Sequence, residues 1–308
     1  MSAEIKLSIV IINWNVRDLL ANCLRSLDSE PLPTGAEIIV VDNCSSDGSA
    51  DMLRAVFPRV RLIQNDENVG FARANNQAIV ESCGEYILLL NPDTKVLGPA
   101  VTSLSQFLDQ HQDVGAVGPR LLNADGSLQQ GCYPRPTLLR EFWRLFNLDR
   151  LRPLGVYPMD AWALDEPRPV DVLMGACLML RRQALDQVGL LCEDYFMFSE
   201  EVDLSYRLQR ARWQLVWVPE ARVVHYGGQS ANQVADEMFL QLYQGKVLYF
   251  RKNHGLVTVA AYKLILAAAA IARLAFGQIA RPASEDKRLH QSVLVSRYRR
   301  LLTTLPEM

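Results

Sequence analysis

The chemistry-bearing residues of this chain are mostly acidic and sit where apolar runs stop. Asp93 closes the segment Leu-Asn-Pro-Asp-Thr, directly after Tyr86–Leu90. A carboxylate held by a proline turn at a strand end suits Mg2+ or Mn2+ on a diphosphate. Hard cations choose carboxylate oxygens and keep positions open for phosphate oxygens. The same local pattern fits an ordinary turn or cap aspartate. His225, in Val-Val-His-Tyr-Gly-Gly, is a second potential ligand. A histidine after an apolar run is more often structural, so it gains weight only in combination with Asp93. Glu200, Glu201 and Asp203 form an acidic knot between Phe196-Met-Phe198 and Leu204. Aromatic neighbours exclude water and raise a carboxylate's pKa, which suits a general base taking a proton from a hydroxyl. Acids also gather at helix N-termini, and Asp203 stands four residues before Arg207, at ion-pair spacing.

Further polar residues fall at other strand ends. Asp42 closes Glu37–Val41 and could accept from a base N–H or a ribose hydroxyl. Trp14, flanked by Asn13 and Asn15, could stack on that base. Asn68-Val-Gly70-Phe-Ala-Arg73 could bring backbone and a guanidinium near phosphate, although one glycine is a weak signal alone.

The elements that must position these groups alternate. The runs Leu7–Ile12, Glu37–Val41, Val60–Gln64, Tyr86–Leu90 and Val114–Pro119 read as buried strands. Val16–Leu27, Ser49–Val56, Ala72–Ser82 and Pro99–Gln110 carry helical spacing. This alternation predicts an α/β fold with a mostly parallel sheet, whose ligands sit beyond the carboxyl ends of the strands. Residues 130–170 read as a long irregular loop or insertion. Asn232–Arg251 reads as an amphipathic helix. Leu256–Ile279 is strongly apolar but interrupted by Lys263 and Arg273, which makes a poor spanning helix. A basic stretch, Arg281–Arg300, follows.

Composition narrows the field. The 308 residues are 49% hydrophobic and 21% charged, with a net charge of -2, so nothing points to nucleic acid. The six cysteines form no CxxC pair, which predicts neither a zinc site nor a redox motif and fits a reduced compartment. The first residues do not read as a signal peptide.

Taken in order, the segments Ser8-Ile-Val-Ile-Ile-Asn-Trp-Asn15, Val41-Asp-Asn-Cys-Ser-Ser-Asp-Gly48, Asn68–Asn76 and Leu89-Leu-Asn-Pro-Asp-Thr94 resemble family-2 glycosyltransferases of the rhamnosyltransferase-like branch. So do Gly175–Arg182, Phe196–Leu204 and Trp217–Gly228, and the resemblance covers about residues 7–255. It implies a GT-A fold over 1–255: a nucleotide-sugar-binding half (1–120), an acceptor-binding half (121–231) and a helix (232–255). An apolar, then basic, helical tail (256–308) follows. It also implies a nucleoside-diphosphate-sugar donor and a divalent metal. Asp93 matches the last aspartate of the family's DxD motif, with Asn91 in place of the first, and His225 matches a metal ligand of some members. Asp42 and Trp14 match donor-base contacts. The base motif falls on Glu200-Glu201, with the base on Glu201.

The expected reaction is direct displacement at the anomeric carbon with inversion, since one base and no protein nucleophile are present. L-rhamnose from dTDP-rhamnose is the expected donor sugar and a glycan or lipid-linked hydroxyl the acceptor. Another donor (a UDP-sugar or a galactofuranosyl donor) and an inactive sugar-nucleotide scaffold are the competing readings. The expected location is the cytoplasm, peripheral at the inner face of the membrane through residues 256–300. There the apolar helix face enters lipid while Lys263 and Arg273 snorkel, and packing on the catalytic domain or on another subunit is the alternative use of that tail.

Overall fold

The computed structural model describes residues 5–33, 35–279 and 285–308. In chain order the elements are β1 (Leu7–Asn13), α1 (Arg17–Asp28), β2 (Glu37–Asp42), α2 (Ser49–Val56), β3 (Arg61–Gln64), α3 (Phe71–Glu81), β4 (Tyr86–Leu90), β5 (Thr94–Leu97), α4 (Ala100–Gln110) and β6 (Val114–Leu122). Then come β7 (Cys132–Tyr133), α5 (Leu138–Leu145), β8 (Arg168–Pro169), β9 (Val172–Leu173), β10 (Cys177–Arg181), α6 (Arg182–Val188), α7 (Glu200–Arg210) and β11 (Gln214–His225). Three helices close the chain: α8 (Ala235–His254), α9 (Leu256–Ile279) and α10 (Glu285–Thr304).

Two compact units result: Met1–Arg135 with Pro158–Gln233, and Pro136–Tyr157 with Val234–Met308. The first carries a sheet ordered β3-β2-β1-β4-β10-β6-β11-β5, with β8 also on β11. β3, β2, β1 and β4 run parallel, as do β6 and β11. β10 runs antiparallel between β4 and β6, and β5 antiparallel to β11. β1 and β4 are buried along their whole length, which is why their sequences are unbroken apolar runs rather than alternating ones. Leu20, Leu24 and Leu27 of α1 and Leu104 and Leu108 of α4 complete one apolar cluster with the strands.

The second unit is helical. α9 packs on α5, α8 and α10, with Tyr262, Leu266, Ala269 and Ala270 buried. Here two expectations are corrected. Residues 130–170 are not simply a loop: they contain β7, α5 and β8, and Pro136–Tyr157 joins the C-terminal helices rather than the sheet. Nor do Lys263 and Arg273 reach outward: Lys263 Nζ donates to Pro306 O at 3.1 Å, and Arg273 donates to the carbonyls of Ala269 and Leu145 and lies over the Tyr298 ring. Within the same unit Lys246 Nζ donates to Glu141 Oε2 at 2.6 Å, a buried pair tying α5 to α8. Among the described side chains of α9 the exposed ones are apolar, and they include Val257, Leu264 and Ile271, seven residues apart and so on one face.

Candidate active site

The geometry is set at the ends of β4, β5 and β11. Beyond Leu90, Asn91 N donates to Ala176 O at 2.9 Å, and Pro92 turns the chain into β5. In the β5–β11 pairing Thr94 stands opposite His225, and Tyr226 N donates to Asp93 O at 2.9 Å. Strand register thus places Asp93 beside a histidine far away in sequence. His225 Nε2 lies 3.4 Å from Asp93 Oδ1, and both side chains are nearly buried. Asp93 Oδ2 accepts from Gln229 N at 3.3 Å. Burial alone would raise the Asp93 carboxyl, but the Gln229 N–H and an imidazole beside it that carries a proton on Nε2 as well would bring it below the usual carboxylate value. The second His225 nitrogen, Nδ1, faces Gln129 Oε1 at 2.8 Å. His225 Nε2 is buried without a hydrogen-bond partner, as is Asn91 Oδ1.

Those orphaned atoms test whether a metal fits. A buried imidazole nitrogen and a carboxylate oxygen aimed at the same space suit a divalent cation and suit nothing apolar. Among the described residues no group of three or more His, Cys, Asp or Glu is gathered, so the remaining ligands fall to phosphate oxygens and water.

The glutamate pair is built by backbone strain. Phe198 and Ser199 both take left-handed φ, +70° and +74°, and turn the chain sharply into α7. Glu200 and Glu201 therefore fall in its first turn. Glu201 packs on Gly175, where an added Cβ would stand 3.8 Å from Glu201 Cβ. Gly175 adjoins Ala176, the partner of Asn91, so Glu201 belongs to the same end of the sheet as residues 91–93. Oε2 of each glutamate is buried without a hydrogen-bond partner. Burial pushes the Glu200 carboxyl well above the usual range, and the neighbouring Glu201 adds to it; burial raises Glu201 too. Asp203 differs: its Oδ2 accepts from Arg207 Nε at 2.8 Å, and Arg207 also donates to the carbonyls of Val188, Gly189 and Leu190. Asp203 thus anchors Arg207, which ties α7 to the 188–190 carbonyls.

On the β1–β2 side, Asp42 is fully buried. Its Oδ1 accepts from Asn13 Nδ2 at 2.8 Å and its Oδ2 from Ser45 N at 3.1 Å. Asn15 Oδ1 accepts from Ser46 N at 2.8 Å. Asp42, Asn13 and Asn15 thus shape the 43–48 loop, and Asp42 braces it from behind the crevice. Asn68 Oδ1 accepts from Asn43 Nδ2 and Gly70 N, which ties the two loops together. Gly70 (φ +86°) is required by packing: a Cβ there would meet Phe196 O at 2.7 Å. Arg73 is exposed on α3 and Trp14 half-buried. The segment after β11 bends at Gly227 and Gly228, both with positive φ. It runs from Asp93, through Gln229 N, to the Trp14 and Asn15 carbonyls, met by Ser230 Oγ and Gln233 Nε2 at 3.0 Å each. Sequence reasoning missed Gln129, Gln229 and Gly175. The turn Asn123-Ala-Asp-Gly-Ser127 before Gln129 was the available signal.

The chain is similar in sequence and fold to known proteins. Residues 8–189, more than half of the chain, match the family model "Glycosyl transferase family 2". An N-acetylglucosaminyl-diphospho-decaprenol L-rhamnosyltransferase of Mycobacterium tuberculosis is 29% identical over 252 residues, covering 74% of this chain and 78% of its own. A low-salt glycan biosynthesis hexosyltransferase of Haloferax volcanii is 26% identical over 242 residues, 77% of this chain and 72% of its own. Among solved structures, a mannosyltransferase from Pyrobaculum calidifontis in complex with GDP-Man and Mn2+ superposes with a TM-score of 0.57 at 19% identity, over 98% of this chain and 88% of that one. The sheet order, the acidic turn after β4 and these matches lead to one conclusion: the chain belongs to glycosyl transferase family 2, with the GT-A fold and a rhamnosyltransferase-like sequence.

Proposed function

We propose that this protein transfers L-rhamnose from dTDP-rhamnose to a hydroxyl of a lipid-linked glycan, with inversion, in the synthesis of a bacterial cell-surface polysaccharide. The observation that carries the reading is the convergence of two orphaned buried groups, His225 Nε2 beside Asp93 and the Glu200–Glu201 pair, at one end of the sheet. The name of the mycobacterial relative supports both the sugar and the lipid-linked acceptor.

Asp93 and His225 would hold the divalent cation, which supplies Lewis-acid neutralisation of the leaving nucleoside diphosphate. Gln229 N holds Asp93 Oδ2, which leaves Oδ1, the oxygen beside His225 Nε2, to face the cation. Trp14 offers its ring to the base. Glu201 takes the proton from the acceptor hydroxyl as that oxygen attacks the anomeric carbon, and burial keeps it a strong enough base to do so. No nucleophilic side chain is required, so the configuration inverts.

The exposed apolar face of α9 supports the peripheral placement at the inner membrane face. Leu256–Ala275 is long and apolar enough to cross a membrane by length and composition, yet α9 is packed on its neighbours along its other face. A helix lying in the interface matches that one-sided exposure. The basic residues expected to assist it, Arg281, Lys287 and Arg288, lie outside the residues whose side chains are described, and Arg297 is paired with Asp236.

A donor panel tests the sugar: dTDP-rhamnose, UDP-glucose, UDP-galactofuranose and GDP-mannose, scored by Mn2+-dependent release of nucleoside diphosphate. dTDP-rhamnose should lead. Preference for a UDP-sugar would overturn the donor, and no release from any donor would favour a sugar-nucleotide-binding scaffold.

A further inference from the structure

We propose that Gln129 is a positioning residue: it fixes the His225 imidazole with its proton on Nδ1 and leaves Nε2 as a lone-pair ligand beside Asp93. Its purpose rests on the metal reading above, but the chain of hydrogen bonds stands alone. It begins in the turn after β6. Asn123 Nδ2 donates to Ser127 Oγ at 2.9 Å and to Leu128 O at 3.4 Å. That fixes which way the Asn123 amide faces and leaves its Oδ1 as an acceptor. Gln129 Nε2 donates to this Oδ1 at 2.9 Å and to His225 O at 3.0 Å. Two acceptors hold the Gln129 amide in one orientation, because a flipped amide would set its oxygen against both. Gln129 Oε1 is then the atom 2.8 Å from His225 Nδ1. An oxygen cannot donate, so Nδ1 must carry the proton.

The other ring nitrogen fits this account. His225 Nε2 is buried, makes no hydrogen bond, and is 3.4 Å from Asp93 Oδ1, longer than a good N–H···O contact. Gln129 grips both the ring and the carbonyl of His225, so it sets tautomer and ring plane together. The turn that starts the chain is self-supporting: Asp125 Oδ1 accepts from Ser127 N and Oγ, and Gly126 takes φ +84°. Ligating histidines generally need such an outer partner, and losing one typically weakens metal binding about 10–100-fold.

The test reads the tautomer directly. Imidazole 15N spectra of the metal-free protein are recorded at alkaline pH, where the ring is neutral, with His225 assigned by loss of its signals in H225N. Wild type should show the proton on Nδ1. Q129L should move it to Nε2, toward the Asp93 carboxylate. A proton on Nε2 in wild type, or an unchanged tautomer in Q129L, overturns the proposal. Mn2+ binding with UDP or dTDP present, followed by electron paramagnetic resonance of free Mn2+, should weaken about 10–100-fold in Q129L. Wild type that takes up no Mn2+ while showing the Nδ1 proton would sink the metal reading and leave the Gln129 assignment intact.

Discussion

Asp93 and His225 were legible as residues because carboxylates and imidazoles announce their chemistry by type. Their pairing was not, because it depends on Thr94 standing opposite His225 across two strands. Gln129 was invisible for another reason: it does not titrate, and its effect acts through the proton of a neighbour. Asp42 carries a bracing role that its type did not announce, since it is fully buried and accepts from Asn13 Nδ2. Asp42→Ala should therefore lose stability as well as donor affinity. It leaves Asn13 Nδ2 and Ser45 N short of a buried acceptor, at about 1–3 kcal/mol. A thermal melt against donor KM separates the two effects, and a raised KM with unchanged melting would restore the direct base contact. Glu201→Gln should lower kcat about 10²–10⁴-fold with little change in donor KM. The sign of its pH dependence follows from burial. A base works deprotonated, and a raised pKa means that the proton returns at higher pH. Wild-type kcat should thus fall on the acid side at a pH above the usual glutamate range, and the mutant's residual rate should lack that limb. If Glu200→Gln is the crippling change instead, the base is the neighbouring residue.

At the scale of elements, helical spacing located most helices closely; Ser49–Val56 and Leu256–Ile279 match their predicted spans. Strand direction was unreadable. β10 up to Arg181 is as apolar as β4 and equally buried, so nothing in either run marks which way it crosses the sheet. α5 was hidden in a proline-rich stretch because its partners, α8 and α9, lie a hundred residues further on. The structure also changes how the C-terminal helices should be tested. Cutting the chain after Gly255 would remove Tyr262 and Leu266 from the core of the helical unit, so loss of membrane binding would report unfolding. A cleaner variant replaces the exposed Val257, Leu264 and Ile271 with serine. It should melt within about 1 kcal/mol of wild type, since surface changes away from packed groups are usually small. It should also release the protein from sedimenting vesicles of anionic lipid. Retained binding would reject the interfacial reading, and a wild-type dimer that becomes monomeric in this variant would assign the face to a second copy.

At the scale of the molecule, one unit, built on the sheet, carries every proposed reacting group, and the other, helical, carries none. The alternation of strands and helices was enough to place the crevice at the carboxyl ends of the strands. The division itself escaped the sequence, because Pro136–Tyr157 belongs to a unit whose other half begins at Val234. The central claim is that Asp93 and His225 present a cation to a departing nucleoside diphosphate while a buried glutamate activates the acceptor. The most direct measurement is release of nucleoside diphosphate from the preferred donor, with lipid-linked acceptor, by wild type and Asp93→Asn, each after chelation and after Mn2+ is restored. Asp93→Asn keeps the size of the side chain and removes its charge. Wild type should lose activity on chelation and regain it with Mn2+, whereas Asp93→Asn should stay at least about 10²-fold below Mn2+-restored wild type whether or not the metal is returned, as expected when one transition-state charge contact is lost. Wild type indifferent to chelation, or Asp93→Asn turning over at the wild-type rate, would contradict the account.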